Sequence, residues 1–155
     1  MAGQRIGPMN VLGEREIGSG EAMQAFGRIL AGYLQTGDVV LLHGDLGAGK
    51  TTLTQGIAAG LGVTDAIQSP TFTLVQEHRG ASMAMYHLDL YRLEDPSELE
   101  SLGYETYLDP VDGVSVIEWP ERAGDWLPGR FWLVQIDHLG GDRRRVNVRR
   151  FPEGA

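Results

Sequence analysis

The chain contains no cysteine. That absence excludes disulfides, zinc–thiolate sites and cysteine nucleophiles together. Long apolar runs are missing as well. The longest are a few residues, against the ~20 that a membrane helix requires. The opening segment, Met1 to Asn10, is polar and lacks the apolar region of a signal peptide. These absences lead to the expectation of a cytoplasmic protein without a membrane partner. Lysine is nearly absent: twelve of the 13 basic residues are arginine, and Lys50 is the one lysine. An arginine bias follows from a GC-rich genome, so a lone lysine raises the question of what arginine could not do there.

What is present fits one domain over residues 1–155, by the soft prior of roughly 150 residues per domain. A chain of this size buries about 70% of its unfolded surface, so no covalent staple is needed. The net charge of −8 argues against sequence-blind nucleic-acid binding by bulk charge. The charge is uneven. Eleven acids face two arginines between Asp89 and Asp125, whereas six arginines face two acids between Arg130 and Arg150. Two solvated faces explain this, and so does a docking surface for a protein or an RNA.

Ser19 to Gln35 reads as a helix capped by Ser19, with Ala22, Phe26, Ile29 and Tyr33 on one face and Gly37 as its stop. Asp38 to His43 is a short β-branched apolar run, a buried strand. A second helix follows from about Thr51 to Leu61. Phe72–Glu77 and Met83–Leu90 read as a hairpin turning at Arg79-Gly80. Asp95, Pro96 and Glu98 form a helix-start signal. Val114–Glu118 is another buried strand. Phe131–His138 and Arg144–Arg150 flank Gly140-Gly141 as a second hairpin. The pattern predicts an α/β fold with a parallel core and antiparallel hairpin extensions.

Gly44-Asp45-Leu46-Gly47-Ala48-Gly49-Lys50-Thr51 matches the phosphate-loop motif G-x-x-x-x-G-K-[ST] at every fixed position, between a strand and a helix. Glycines let successive backbone N–H groups form an anion nest. The helix adds its positive N-terminal end. Lys50, a compact charge on a long stem, reaches between β- and γ-phosphates where arginine's wide fork does not enter. Thr51 offers a hydroxyl to Mg²⁺. The predicted nucleotide-binding residues are Gly44 to Thr51 together with Thr52. The guanine-reading motif of GTPases needs a second lysine, so ATP is the expected nucleotide. A glycine turn that happens to precede a helix is the bland alternative.

Two strand ends supply carboxylates. His87, Asp89 and Tyr91 alternate onto one face, and Asp89 can bind Mg²⁺ directly or through water. His87-x-Asp89 also has metal-ligand spacing, a weak zinc signal without cysteines. Glu118 ends an apolar strand where a Walker-B acid stands. It either holds Mg²⁺ through water or orients the attacking water. Trp119 beside it serves core packing or stacking. Thr71, in Ser69-Pro70-Thr71-Phe72, is placed to sense the metal and γ-phosphate; ordinary turn chemistry is its alternative. The expected catalytic set is Lys50, Thr71 and Glu118, and the metal set is Thr51, Asp89 and Glu118.

Taken in order, the GDLGAGKT loop, SPTF at Ser69–Phe72, H-x-D-x-Y-R at His87–Arg92 and E-W-P-E at Glu118–Glu121 resemble the bacterial TsaE (YjeE) family. The resemblance spans nearly the whole chain. It implies a P-loop NTPase-like three-layer sandwich around a mixed sheet, and an Mg-dependent ATPase that is weak alone. It also implies two partners, TsaD and TsaB, of which TsaD transfers a threonylcarbamoyl group to an adenosine of tRNAs that read ANN codons. The TsaE-like subunit resets that complex between turnovers, so tRNA is met indirectly. The rival class is a small P-loop metabolite kinase, which usually carries an arginine-rich lid. A nucleotide-gated binding module without hydrolysis is a second rival.

Overall fold

The computed structural model describes residues 11–45, 47–67 and 75–152. Leu46, Thr71 and the whole Ser69–Phe72 segment lie outside the described residues, as does the Met1–Asn10 start.

Among the described residues, seven strands form one mixed sheet: β1 (Gly13–Ile17), β2 (Val39–His43), β3 (Val75–Arg79), β4 (Ala84–Asp89), β5 (Gly113–Glu118), β6 (Phe131–Gly140) and β7 (Arg143–Phe151). Their order is β1-β7-β6-β2-β5-β4-β3. The centre is parallel, with β2 between β5 and β6, and β4 beside β5. The flanks are antiparallel, β3 on β4 and β6–β7–β1. Both expected hairpins are present. β1 is an addition: its polar sequence GEREI carries no strand signal of its own, and it pairs with β7 at the sheet edge.

Alternation along β2 builds two cores from one strand. Val40 and Leu42 join a cluster with α1 and α2, while Val39 and Leu41 join a second cluster on the other face. Helices α1 (Gly20–Ala31) and α2 (Lys50–Gly60) cover the first face. Short helices α3 (Glu98–Ser101) and α4 (Glu105–Leu108), with the 3₁₀ segment Pro120–Trp126, cover the second. The result is a three-layer α/β sandwich. Among the described residues no helix is long and apolar enough to cross a membrane.

The first helix differs from its sequence reading. Ser19 is its cap, the Oγ accepting from the Ala22 N–H at 3.1 Å. It ends at Ala31, however, and Gly37 lies beyond it in the turn to β2. Its buried face is Met23, Phe26, Gly27 and Leu30, with Ile29 52% exposed. Glycine explains the rotation. A Cβ on Gly27 would stand 2.6 Å from the Leu53 carbonyl, and one on Gly56 would stand 2.2 Å from that of Gln24. Only bare backbone lets α1 and α2 approach so closely, so the glycine side, not Ile29, faces inward. This contact fixes α2, and with it Lys50, against the sheet. Similarly, α3 starts at Glu98 rather than at Pro96, because Asp95 closes a local turn on the Ser97 N–H.

Candidate functional site

The phosphate-loop motif leaves the end of β2 and enters α2. Gly47 (φ +78°) and Gly49 (φ +111°) occupy backbone conformations that L side chains rarely adopt. Gly49 is the N-cap of α2 and offers no side-chain acceptor, so the helix presents its N-terminal dipole to the loop.

Lys50 opens α2 and is 5% exposed. Its Nζ donates to the Gly44 carbonyl at 2.5 Å and lies 3.5 Å from the centroid of the Trp119 ring. Burial pushes its ammonium below the usual value of 10.5, and the carboxylates of Glu118, Asp89, Glu121 and Asp45 pull it back. Four acids from three segments therefore share the surroundings of the chain's single lysine.

Asp89 and Glu118 end β4 and β5 and are register partners across that parallel pair. Burial, the largest cause, raises the Asp89 carboxyl above its usual range. Glu118 adds to the rise, while the Tyr91 N–H, His87 and Lys50 oppose it. The Tyr91 N–H donates to Asp89 Oδ1 at 3.0 Å. Glu118 is 2% exposed, and its Oε2 lies 2.6 Å from His87 Nε2. The carboxylate only accepts, so this pairing puts a proton on Nε2. His87 Nδ1 is buried without a partner. The zinc spacing of His87 and Asp89 is thus spent differently: His87 turns to Glu118. Among the described residues no group of three or more His, Cys, Asp or Glu side chains is placed to hold a metal.

Trp119 follows Glu118 with φ +58°, in the left-handed region. Its ring packs on Tyr91 at 4.9 Å, with the Arg122 guanidinium 5.5 Å from the far ring. Lys50, Trp119, Tyr91 and Arg122 therefore form one stack beside the carboxylates. The arginine-rich tail is strand β7, paired between β1 and β6, and not a helical lid. A cavity of about 490 Å³ lies at the opposite strand ends, around Asp38, Arg130 and Trp132, and no sequence-predicted site residue lines it.

A lysine-bearing loop, two strand-end acids and a tryptophan thus meet at the carboxyl ends of the parallel strands, where ligands of open α/β sheets bind. The model of the family described as "Threonylcarbamoyl adenosine biosynthesis protein TsaE" matches residues 17–146. The chain belongs to the TsaE family. It is 40% identical over 126 residues to the tRNA threonylcarbamoyladenosine biosynthesis protein TsaE of Bacillus subtilis (strain 168), covering 81% of this chain and 78% of that one. The TsaE of Nostoc sp. (strain PCC 7120 / SAG 25.82 / UTEX 2576) is 50% identical over 134 residues, covering 84% of this chain and 82% of that one. Among solved structures, the crystal structure of Bacillus subtilis YdiB superposes with a TM-score of 0.75 at 32% identity, over 87% of this chain and 82% of that one. The family match extends through Arg144, a residue outside the sequence-predicted site that donates to the Ala48 and Gly47 carbonyls of the loop.

Proposed function

We propose that the chain is the Mg-dependent ATPase subunit of tRNA threonylcarbamoyladenosine synthesis, slow alone and working with TsaD and TsaB. Gly44–Thr52 takes the phosphates of ATP, with tRNA met through the complex. The observation that carries this reading is the convergence on Lys50 of Asp89, Glu118 and the glycine loop. A buried ammonium whose charge is held by nearby acids is prepared for an anionic ligand that arrives with its own metal. Mg²⁺ needs few protein ligands and keeps water and substrate phosphates for the rest. The hard oxygen donors Thr51, Asp89 and Glu118 fit it. When bound, the ion supplies charge neutralisation at the phosphates.

The chain's own residues do the remaining work. Lys50 neutralises phosphate charge from inside the loop. Glu118, aimed by His87, accepts from the attacking water and orients it. Thr71 is the proposed sensor of the γ-phosphate. No arginine stands in the loop sequence to stabilise transition-state charge, and a missing arginine costs P-loop enzymes about 10³–10⁵ in rate. Arg92, Arg122 or a partner would supply it, and supply by a partner would account for slow turnover alone. The family and the relatives' names support the pathway.

The test is ADP release by the full chain, with and without TsaD–TsaB. Slow release alone and faster release in the mixture are expected, with Glu118→Gln binding ATP but not turning it over. Turnover of tens per second alone, unchanged by TsaD–TsaB, would contradict the accessory role.

A further inference from the structure

The run Arg143-Arg144-Arg145 looks like one basic patch in the sequence, but strand alternation splits it. Arg143 Nε pairs with Glu16 at 2.9 Å, and Arg145 Nε pairs with Glu14 at 3.3 Å, both as exposed ion pairs to β1. Arg144 points to the other face. Its Nε donates to the Ala48 carbonyl at 2.9 Å and its Nη2 to the Gly47 carbonyl at 3.3 Å. Its Nη1 donates to the carbonyls of Gly141 and Arg143 at 2.9 and 3.1 Å. No carboxylate among the described residues pairs with it.

The partners are what make this contact informative. A guanidinium that only decorated the surface would point to solvent or to an acid. This one spends its donors on four backbone carbonyls, two in the phosphate loop, one in the β6–β7 turn and one at the start of β7. A trans peptide holds its C=O and the next N–H antiparallel. With the Ala48 carbonyl drawn toward β7, the Gly49 N–H faces away from it. Gly47 and Gly49 give the loop unusual conformational freedom, so an external brace decides which way its peptides turn. Carbonyl oxygens turned inward would repel a phosphate.

We propose that Arg144 is a positioning residue of the nucleotide site, holding the Gly47 and Ala48 carbonyls so that the Gly49 amide faces the phosphates, and joining the β6–β7 turn to that loop. It acts through the loop and does not itself touch the nucleotide. The inference rests on the reading of Gly44–Thr51 as the phosphate site.

The test uses the full chain with Mg-ATP and Mg-ADP. Arg144→Gln removes the brace, Arg144→Lys keeps the charge without the planar fork, and Lys50→Ala reports on the loop reading itself. Calorimetry should show Arg144→Gln about tenfold weaker for both nucleotides, because an unbraced loop must be ordered when the nucleotide binds. Arg144→Lys should resemble Arg144→Gln more than the wild type. The KM for ATP should rise by a similar factor while kcat stays within about twofold. Amide exchange at Ala48, whose N–H donates to the Asp45 carbonyl at 3.0 Å, should accelerate without nucleotide in both variants, which loss of a remote charge would not cause. The unfolding midpoint should stay within about 2 °C.

Wild-type affinity in Arg144→Gln, full recovery in Arg144→Lys, or a large fall in the unfolding midpoint of both variants would overturn the proposal. If Lys50→Ala loses binding and Arg144→Gln does not, the loop reading stands and the role of Arg144 falls. If the wild-type chain binds neither nucleotide, both fall.

Discussion

The ammonium of Lys50 rests on the face of the Trp119 indole, 3.5 Å from its centroid, while donating to the Gly44 carbonyl. Trp119 holds an αL backbone to do this, a conformation uncommon outside glycine and rare for a bulky side chain. A desolvated cation–π contact of this kind contributes about 2 kcal/mol. The same ammonium cannot sit on the ring and between two phosphates. Lys50 and Trp119 therefore form a pair that phosphate binding would separate.

Mg-ATP is accordingly expected to change the tryptophan emission, and Trp119→Phe should abolish most of the change while Trp126 and Trp132 still emit. Fluorescence titration of the two proteins is the measurement. An undiminished signal in Trp119→Phe would show that Lys50 does not leave the ring.

The His87–Glu118 contact yields a double-mutant prediction. Both side chains are buried, and removing one partner of a buried pair typically costs about 3–5 kcal/mol. His87→Phe should therefore destabilise the chain by about that much in urea unfolding. His87→Gln, which retains a donor, should cost less. Pairing His87→Phe with Glu118→Leu should recover much of the loss, since replacing both partners removes the orphaned charge. Additive losses in the double variant would mean that the two side chains are not coupled.

Asp89 and Lys50 carry opposite pH signatures. Burial raises the folded Asp89 carboxyl above 3.8, so the folded chain holds that proton longer than the unfolded chain. Its contribution to stability is present below the unfolded value and lost as pH rises through the folded one. Burial lowers folded Lys50 below 10.5, so its contribution is present above the unfolded value and lost as pH falls through the folded one. Above the folded Asp89 value, and below the folded Lys50 value, the charged form is held at a cost to the fold. Asp89→Asn should raise the unfolding midpoint at about pH 7 and lose the advantage toward about pH 4. Thermal unfolding at both pH values checks this, and an equal midpoint at neutral pH would remove the desolvation argument. The same variant should bind ATP with little dependence on Mg²⁺.

Much of this site was legible in the chain because its parts are local. Val39–His43 and Val114–Glu118 announce buried strands by continuous apolar character, and the loop motif sits where strand meets helix. The expected strand ends put Asp89 and Glu118 in register. What escaped depends on pairing between distant segments. His87 meets Glu118 only because β4 lies parallel to β5. Arg144 meets Gly47 and Ala48 from 97 and 96 residues away. β1 was missed because a polar edge strand has no apolar period, and its partners Arg143 and Arg145 lie far along the chain. Ile29 was assigned inward because helical spacing cannot see the Gly27–Gly56 approach that rotates the buried face.

Calorimetric titration of Mg-ATP into the wild type and Lys50→Ala tests most directly whether Lys50 holds phosphate. Loss of charge-assisted bonds of about 1.5–3 kcal/mol predicts that Lys50→Ala, still folded, binds at least about tenfold more weakly. Equal affinity in a folded Lys50→Ala protein would contradict it.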